Sequence, residues 1–215
     1  MSFNTISEWL SLNSNLLIGA TWETIYMVAV AGIVGFAVGI PLGVILHTTK
    51  KGGLLENTKL NSILGAVVNV GRSVPFLVLM VAIIPVTKIL VGTFIGTTAA
   101  IVPLTIGAIP FVARLIEGAL LEVPTGLVEA AQSMGATPMQ IINKVLLPEA
   151  MPTIVNSVTI TLVTLVSYSA MAGTVGGGGL GDVAIRYGFH RYDVVIMAVT
   201  AVSYTHLTLP TTVFV

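Results

Sequence analysis

The sequence predicts an all-α membrane protein whose apolar helices are interrupted by one polar helix-turn-helix. Three observations predict it. Hydrophobic residues make up 55% of the chain and charged residues only 8%, against roughly 25% charged in soluble domains, and the mean hydropathy is +1.00. Apolar runs recur at lengths that cross a bilayer, which takes about 20 residues. Between two of these runs lies 122–149, too long and too polar for a mere connection between spans.

The elements follow in order. Met1 to Gly19 holds no Lys or Arg, so it lacks the positive start of a cleaved secretory signal. The first span is expected at about 22–46; its core, Thr24 to Leu46, is 23 residues without a charge. Gly32, Gly35, Gly39 and Gly43 recur there at spacings of three and four. That puts small residues on one face, where a second helix can approach closely. Pro41 is expected to kink this span.

The second span is expected at 60–87, interrupted by Arg72 and Pro75. The third, 97–121, carries Arg114 and Glu117 at an i,i+3 spacing that favours pairing. The fourth covers 152–175, and a fifth begins at Val194. That fifth run turns polar and Thr-rich after Val202, so the last helix reads as truncated. Val202-Ser203-Tyr204-Thr205-His206-Leu207-Thr208-Leu209-Pro210-Thr211-Thr212 resembles translated sequencing-adapter DNA. One transmembrane domain is therefore expected over 1–202, with 203–215 a non-native tail.

Orientation follows from Lys and Arg, which concentrate on the cytoplasmic side. Lys50, Lys51 and Lys59 follow the first span, and Arg114 and Lys144 flank or occupy the insert. Lys88, Arg186 and Arg191 fall on the other side. The bias places the N-terminus outside and the insert in the cytoplasm.

The insert has its own local grammar. Pro124 suits an early helix position, where its missing N–H is not needed. Leu127, Ala130, Ala131 and Met134 fall on one helical face. Gly135 suits the left-handed position after a helix. Thr137-Pro138-Met139-Gln140 reads as a capping box with Pro at the first helical position. The second helix is expected to run to Leu147 and stop at Pro148. Two short helices with a fixed elbow make a rigid knob, suited to docking a soluble partner. Glu129 either anchors the elbow through backbone N–H groups, pairs with a basic group on that partner, or is simply solvated.

Glu129-Ala130-Ala131, three residues, Gly135, nine residues, then Val145-Leu146-Leu147-Pro148 resembles the signature loop of ABC importer permeases, with Val145 where the family carries Ile. Arg72 to Phe76, Ala99 to Thr105, Gly135 to Gln140 and Gly176 to Gly181 are similar to methionine-uptake permeases, and the likeness covers about 20–202. The resemblance implies a five-span type I importer permease of the bacterial inner membrane, acting as a homodimer. It implies an ATPase-coupling loop that includes Glu129, Ala130, Ala131, Gly135, Ala136, Thr137, Pro138, Leu147 and Pro148. Two copies of a separate ATPase would grip these loops and hold the ATP and magnesium. An extracytoplasmic substrate-binding protein would deliver D- or L-methionine.

The chain itself carries no Gly-x-x-x-x-Gly-Lys-Ser/Thr phosphate loop, in keeping with a transport subunit rather than an enzyme. No cofactor is expected on it. Zero net charge without a basic patch argues against nucleic acid, and the absence of Cys excludes thiol chemistry. His47, His190 and His206 lie too far apart in sequence for a metal set.

Ser167, Tyr168, Ser169 and Met171 are the candidate lining of a substrate path, because polar groups inside a membrane helix face other helices or water. Thr159, Thr161 and Thr164 are expected to bond their own helix. Gly176 to Gly179, Gly181 and Asp182 read as an outer loop, either flexible or tightly turned, in reach of a binding protein. Arg72 either snorkels to an interface or pairs with Glu117. Two other readings stay open: an ion-coupled secondary amino-acid transporter, and an ABC permease for another small solute. The first usually needs carboxylates inside the membrane; the expected spans carry Glu117 and no Asp.

Overall fold

A computed structural model describes the backbone of residues 3–212 and the side chains of residues 13–208. The expectations for Met1, Ser2 and Val213–Val215 lie outside the described residues. The helices are α1 (Phe3–Thr49), α2 (Thr58–Ser73), α3 (Phe76–Ala82), α4 (Ile84–Val91), α5 (Thr97–Leu121), α6 (Thr125–Ser133), α7 (Pro138–Ile141), α8 (Leu147–Glu149), α9 (Met151–Ala172), α10 (Gly179–Val183) and α11 (Val194–Thr212). No strand occurs among the described residues.

Three of these helices are long and apolar enough to cross a membrane: Asn13–Thr49, Thr97–Leu121 and Met151–Val175. A fourth crossing arises if α2 and α3 count as one broken span, and Val194–Thr208 is a shorter apolar helix.

Two expectations change at this level, the extents of the first and fifth helices, and the interruption of the second span is located. The first span is much longer than 22–46. Nothing between Asn13 and Thr24 breaks the helix, and Thr21 and Thr24 donate their hydroxyls to the carbonyls of Leu17 and Ala20. The second span is not continuous. Val74 is extended (φ −79°, ψ 125°) and Pro75 stands at the head of α3, because proline pushes its predecessor out of helical geometry. A further break at Ile83 separates α3 from α4, whose first turn holds Pro85. The fifth helix does not stop at Val202 but continues to Thr212. Thr205 and Thr208 satisfy themselves on the carbonyls of Ala201 and Tyr204, so a Thr-rich stretch remains compatible with helix. Pro41 lies inside α1 without ending it.

The chain divides into two compact units, one of 1–33, 75–106 and 162–215, the other of 34–74 and 107–161. In the second unit the glycine stripe of α1 meets α5 closely. A Cβ on Gly39 would sit 2.6 Å from Val112 Cγ1, and one on Gly43 2.6 Å from the Ala113 carbonyl oxygen. In the first unit Gly32 faces Leu162 and Leu165 of α9 in ordinary contact. The spacing therefore does serve helix approach.

Candidate functional site

The insert 122–149 belongs wholly to the second unit and is built by caps. Pro124 proves to be the residue before α6, not its first residue; its ψ of 127° is extended. At the other end of α6, Gly135 takes φ +80°. Its N–H donates to the Gln132 carbonyl at 2.9 Å, and the Ala136 N–H donates to Ala131 at 3.1 Å. These two bonds close a Schellman turn, which requires the left-handed residue between them. Thr137 then starts α7. Its hydroxyl accepts from the Gln140 backbone N–H at 3.4 Å, while the Gln140 side-chain Oε1 accepts from the Thr137 N–H at 2.8 Å. The expected capping box is present, with Pro138 at the expected position.

The second helix of the insert departs from expectation. Ile142–Leu146 winds as a π-helical turn, and α8 follows with Pro148 in its first turn. Proline is tolerated there because a first-turn N–H has no partner to lose. The path continues through Ala150 into α9 rather than stopping at Pro148.

One side of the insert is sunk into a core. Ala131, Ile141, Ile142 and Leu146 pack with Val112, Ile116, Ala119 and Leu120 of α5 and with Ile154 of α9. The other side is bare: Leu127 is 41% exposed, Met139 62% and Met134 81%. The face expected to hold Leu127, Ala130, Ala131 and Met134 together is therefore split, with Ala131 alone turned inward. Of the remaining expected loop residues, Ala136, Val145 and Leu147 pack partly against the core, while Glu129, Ala130, Thr137, Pro138 and Pro148 are exposed. The Glu129 side chain lines a cavity of about 240 Å³ with His47, Lys50 and Gln132.

Sequence reasoning missed the neck of this element. The Thr153 hydroxyl donates to Glu122 Oε2 at 2.8 Å, joining the entry of the insert to its exit. The partners lie 31 residues apart, so no local pattern announces them. Arg114 pairs with Glu117 as the i,i+3 spacing predicts, and also donates to Asn69 Oδ1 at 2.9 Å. Glu117 is thus committed to Arg114, and Arg72 stands exposed in the last turn of α2.

The four residues expected to line a substrate path belong to the first unit and do not converge. Ser167 and Met171, one turn apart, border an open cavity of about 570 Å³. Tyr168 stacks on Phe76, with ring centroids 4.3 Å apart and planes 4° from parallel. Ser169 is fully buried and donates to the Val166 carbonyl. Successive helical residues diverge by about 100°, so a run of four cannot share one face. Thr161 bonds its own helix at Ser157, as expected.

Of the two readings of the Gly176–Gly181 segment, the structure shows the tight turn. Gly176, Gly178 and Gly179 take positive φ, and α10 begins at Gly179. Gly177, Gly179, Leu180 and Gly181 are buried. Glu23 Oε2 accepts the Gly179 N–H at 2.7 Å, and Thr24 Oγ1 accepts the Leu180 N–H at 2.9 Å. Sequence reasoning passed over Glu23 because its partners lie 156 residues away. No cluster of three or more His, Cys, Asp or Glu able to hold a metal occurs among the described residues.

Known proteins resemble the chain closely. Residues 39–215 match the family model described as binding-protein-dependent transport system inner membrane component. The chain is 86% identical over 202 residues to the Vibrio cholerae protein named probable D-methionine transport system permease protein MetI, covering 94% of this chain and 90% of that one. It is 58% identical over 158 residues to the Escherichia coli D-methionine transport system permease protein MetI, covering 74% and 73% respectively. Among solved structures, a chain of the MetNI methionine ABC transporter in an inward-facing conformation matches with a TM-score of 0.91 and 50% identity, over 99% of this chain and 94% of that one. A chain of an amino acid ABC transporter solved with histidines shares the fold, at a TM-score of 0.77 and 20% identity.

Proposed function

The chain belongs to the binding-protein-dependent transport system inner membrane components, and from that premise we propose that it is the permease subunit of an ATP-driven methionine importer. Its helices form the path for methionine, and the element at 124–148 takes up the work of a separate ATPase. The observation that carries this reading is the two-sidedness of the insert. One side is fixed in the core of α5 and α9, and the other presents Leu127, Met134 and Met139 to whatever docks there. Exposed apolar side chains on a rigid support suit a protein partner.

In this reading two ATPase subunits serve two copies of the permease, and ATP and magnesium stay on the ATPases. An extracytoplasmic binding protein supplies the substrate. The N-terminus lies outside and the insert in the cytoplasm, as the Lys and Arg distribution favours. Glu129, Ala130, Ala131, Gly135, Ala136, Thr137, Pro138, Leu147 and Pro148 make up the coupling loop, and Ser167 and Met171 border the path. The ion-coupled alternative is weaker because the two carboxylates within the candidate spans Asn13–Thr49, Thr97–Leu121 and Met151–Val175 are engaged, Glu117 by Arg114 and Glu23 by the Gly179 N–H.

The test is uptake of labelled methionine by proteoliposomes holding the permease, its ATPase and its binding protein. Accumulation is expected only with ATP inside and the ATPase present. Methionine movement by this chain alone, without nucleotide, would overturn the proposal.

A further inference from the structure

Glu23 is a carboxylate in an apolar helix, and such a group is retained for a reason that its partner identifies. Its partner is the backbone of a turn far away in sequence. The Glu23 bond to Gly179 and the Thr24 bond to Leu180 each span 156 residues. Thr24 also donates its hydroxyl proton to the Ala20 carbonyl at 3.0 Å, so its lone pairs are aimed at the turn.

The same turn is tied to two more helices of the first unit. The Gly96 N–H, just before α5, donates to the Gly176 carbonyl at 2.9 Å, and the Gly177 N–H donates to the Ala172 carbonyl of α9 at 2.9 Å. The packing beneath leaves no slack. A Cβ on Gly173 would lie 2.1 Å from the Gly181 carbonyl carbon, and one on Gly181 2.6 Å from the Ala170 carbonyl oxygen. The end of α9 therefore cannot slide against α10. Glu23 and Thr24 supply the side-chain hydrogen bonds that join this junction to α1.

We propose that Glu23 and Thr24 form a clasp that makes the end of α9 and the Gly176–Leu180 turn move together with α1, and that Glu23 is a positioning residue for transport. The inference rests on the transport reading and goes beyond it. Met171 and Ser167 stand on the α9 segment that the clasp holds. With the clasp broken, α9 no longer follows α1, and the step that opens the path slows. The substrate need not touch Glu23, so the effect falls on maximal rate and not on apparent affinity.

The experiment uses the full permease–ATPase complex with its binding protein in proteoliposomes, with rates expressed per complex recovered. Glu23→Ala is expected to lower maximal uptake about tenfold while the methionine KM stays within about twofold. Glu23→Gln keeps an oxygen acceptor, at about half the strength of a charged one, and is expected to restore the rate to within about threefold of the parent. Thr24→Val, which removes the second acceptor at nearly constant shape, is expected to slow uptake severalfold; it also carries the test should Glu23→Ala fail to fold. Parent-like rates in Glu23→Ala or Thr24→Val overturn the clasp. So does a Glu23→Gln rate as low as that of Glu23→Ala, or a raised KM at unchanged maximal rate. If the parent complex itself shows no ATP-driven uptake, the transport reading fails, and that outcome is distinct from any difference between variants.

Discussion

Replacing Gly135 tests the elbow at the position where the chain leaves itself least choice. The residue sits at φ +80° between the two bonds of the Schellman turn. No atom lies within 4 Å of where its Cβ would stand, so a side chain meets no wall, and the whole cost is conformational. For an ordinary L-residue the left-handed region costs about 1–2 kcal/mol, and a β-branched residue fares worse. That is enough to shift the population of a closed turn by roughly 5–30-fold. Asn visits this region more readily. The expected order of damage is therefore Asn, then Ala, then Val. Membrane insertion is expected to be unchanged, because no span includes the turn. Affinity for the ATPase subunit, measured with purified components, is expected to fall in the same order, with uptake following it. If Gly135→Val bound the ATPase and transported like the parent, or if Asn were the most harmful, the elbow would not be the rigid element described here.

The glycine stripe gives a matched pair. Gly43→Ala drives a Cβ to 2.6 Å from the Ala113 carbonyl oxygen and 2.7 Å from Ile116 Cβ, an overpacking expected to cost about 1–3 kcal/mol in thermal unfolding. Gly118→Ala, with nothing within 4 Å, is expected to be neutral or to stabilise by up to about 1 kcal/mol; equal midpoints for the two would refute the close approach of α1 and α5. Met171, 43% exposed at the mouth of its cavity, is expected to change uptake kinetics when replaced by Ala, with stability moving by less than about 0.5 kcal/mol. A marked loss of stability with unchanged kinetics would mark Met171 as a packing residue.

What could be read from the sequence was what neighbours in the chain decide. Thr137, Pro138 and Gln140 specify a helix start among themselves, and Gly135 specifies the end of the helix before it. The Arg114–Glu117 pair and the apolar spans are equally local. Pro148 was misjudged because a proline stops a helix only where an N–H is needed, and the π-helical turn before it moves that need elsewhere. The expected first span, 22–46, is shorter than α1 (Phe3–Thr49), and the role of Glu23 within it was not read. Its carboxylate is satisfied by a turn 156 residues away, and no window along the chain contains both partners. The four path residues are close in sequence but diverge around the helix: Ser167 and Met171 border one cavity, Tyr168 stacks on Phe76 and Ser169 is buried.

The placement of polar groups follows one physical rule at both ends of α5 and α9. Each of these helices runs through both units. Where they meet the insert, Glu122 takes the Thr153 hydroxyl and the apolar side of the elbow closes over Ile116 and Leu120. Where they end away from it, bonds from Gly96 to Gly176 and from Gly177 to Ala172 tie the helix ends to the turn held by Glu23 and Thr24. Polar bonds close both junctions, and Gly96, Gly176, Gly178 and Gly179 at the second take positive φ. On the proposed function, a push on Leu127, Met134 or Met139 would enter the second unit through the packed core beneath the insert and its capped turn. This makes Gly135 and Glu23 complementary probes: weakening the first should reduce ATPase binding and uptake together, whereas weakening the second should reduce uptake while ATPase binding stays intact.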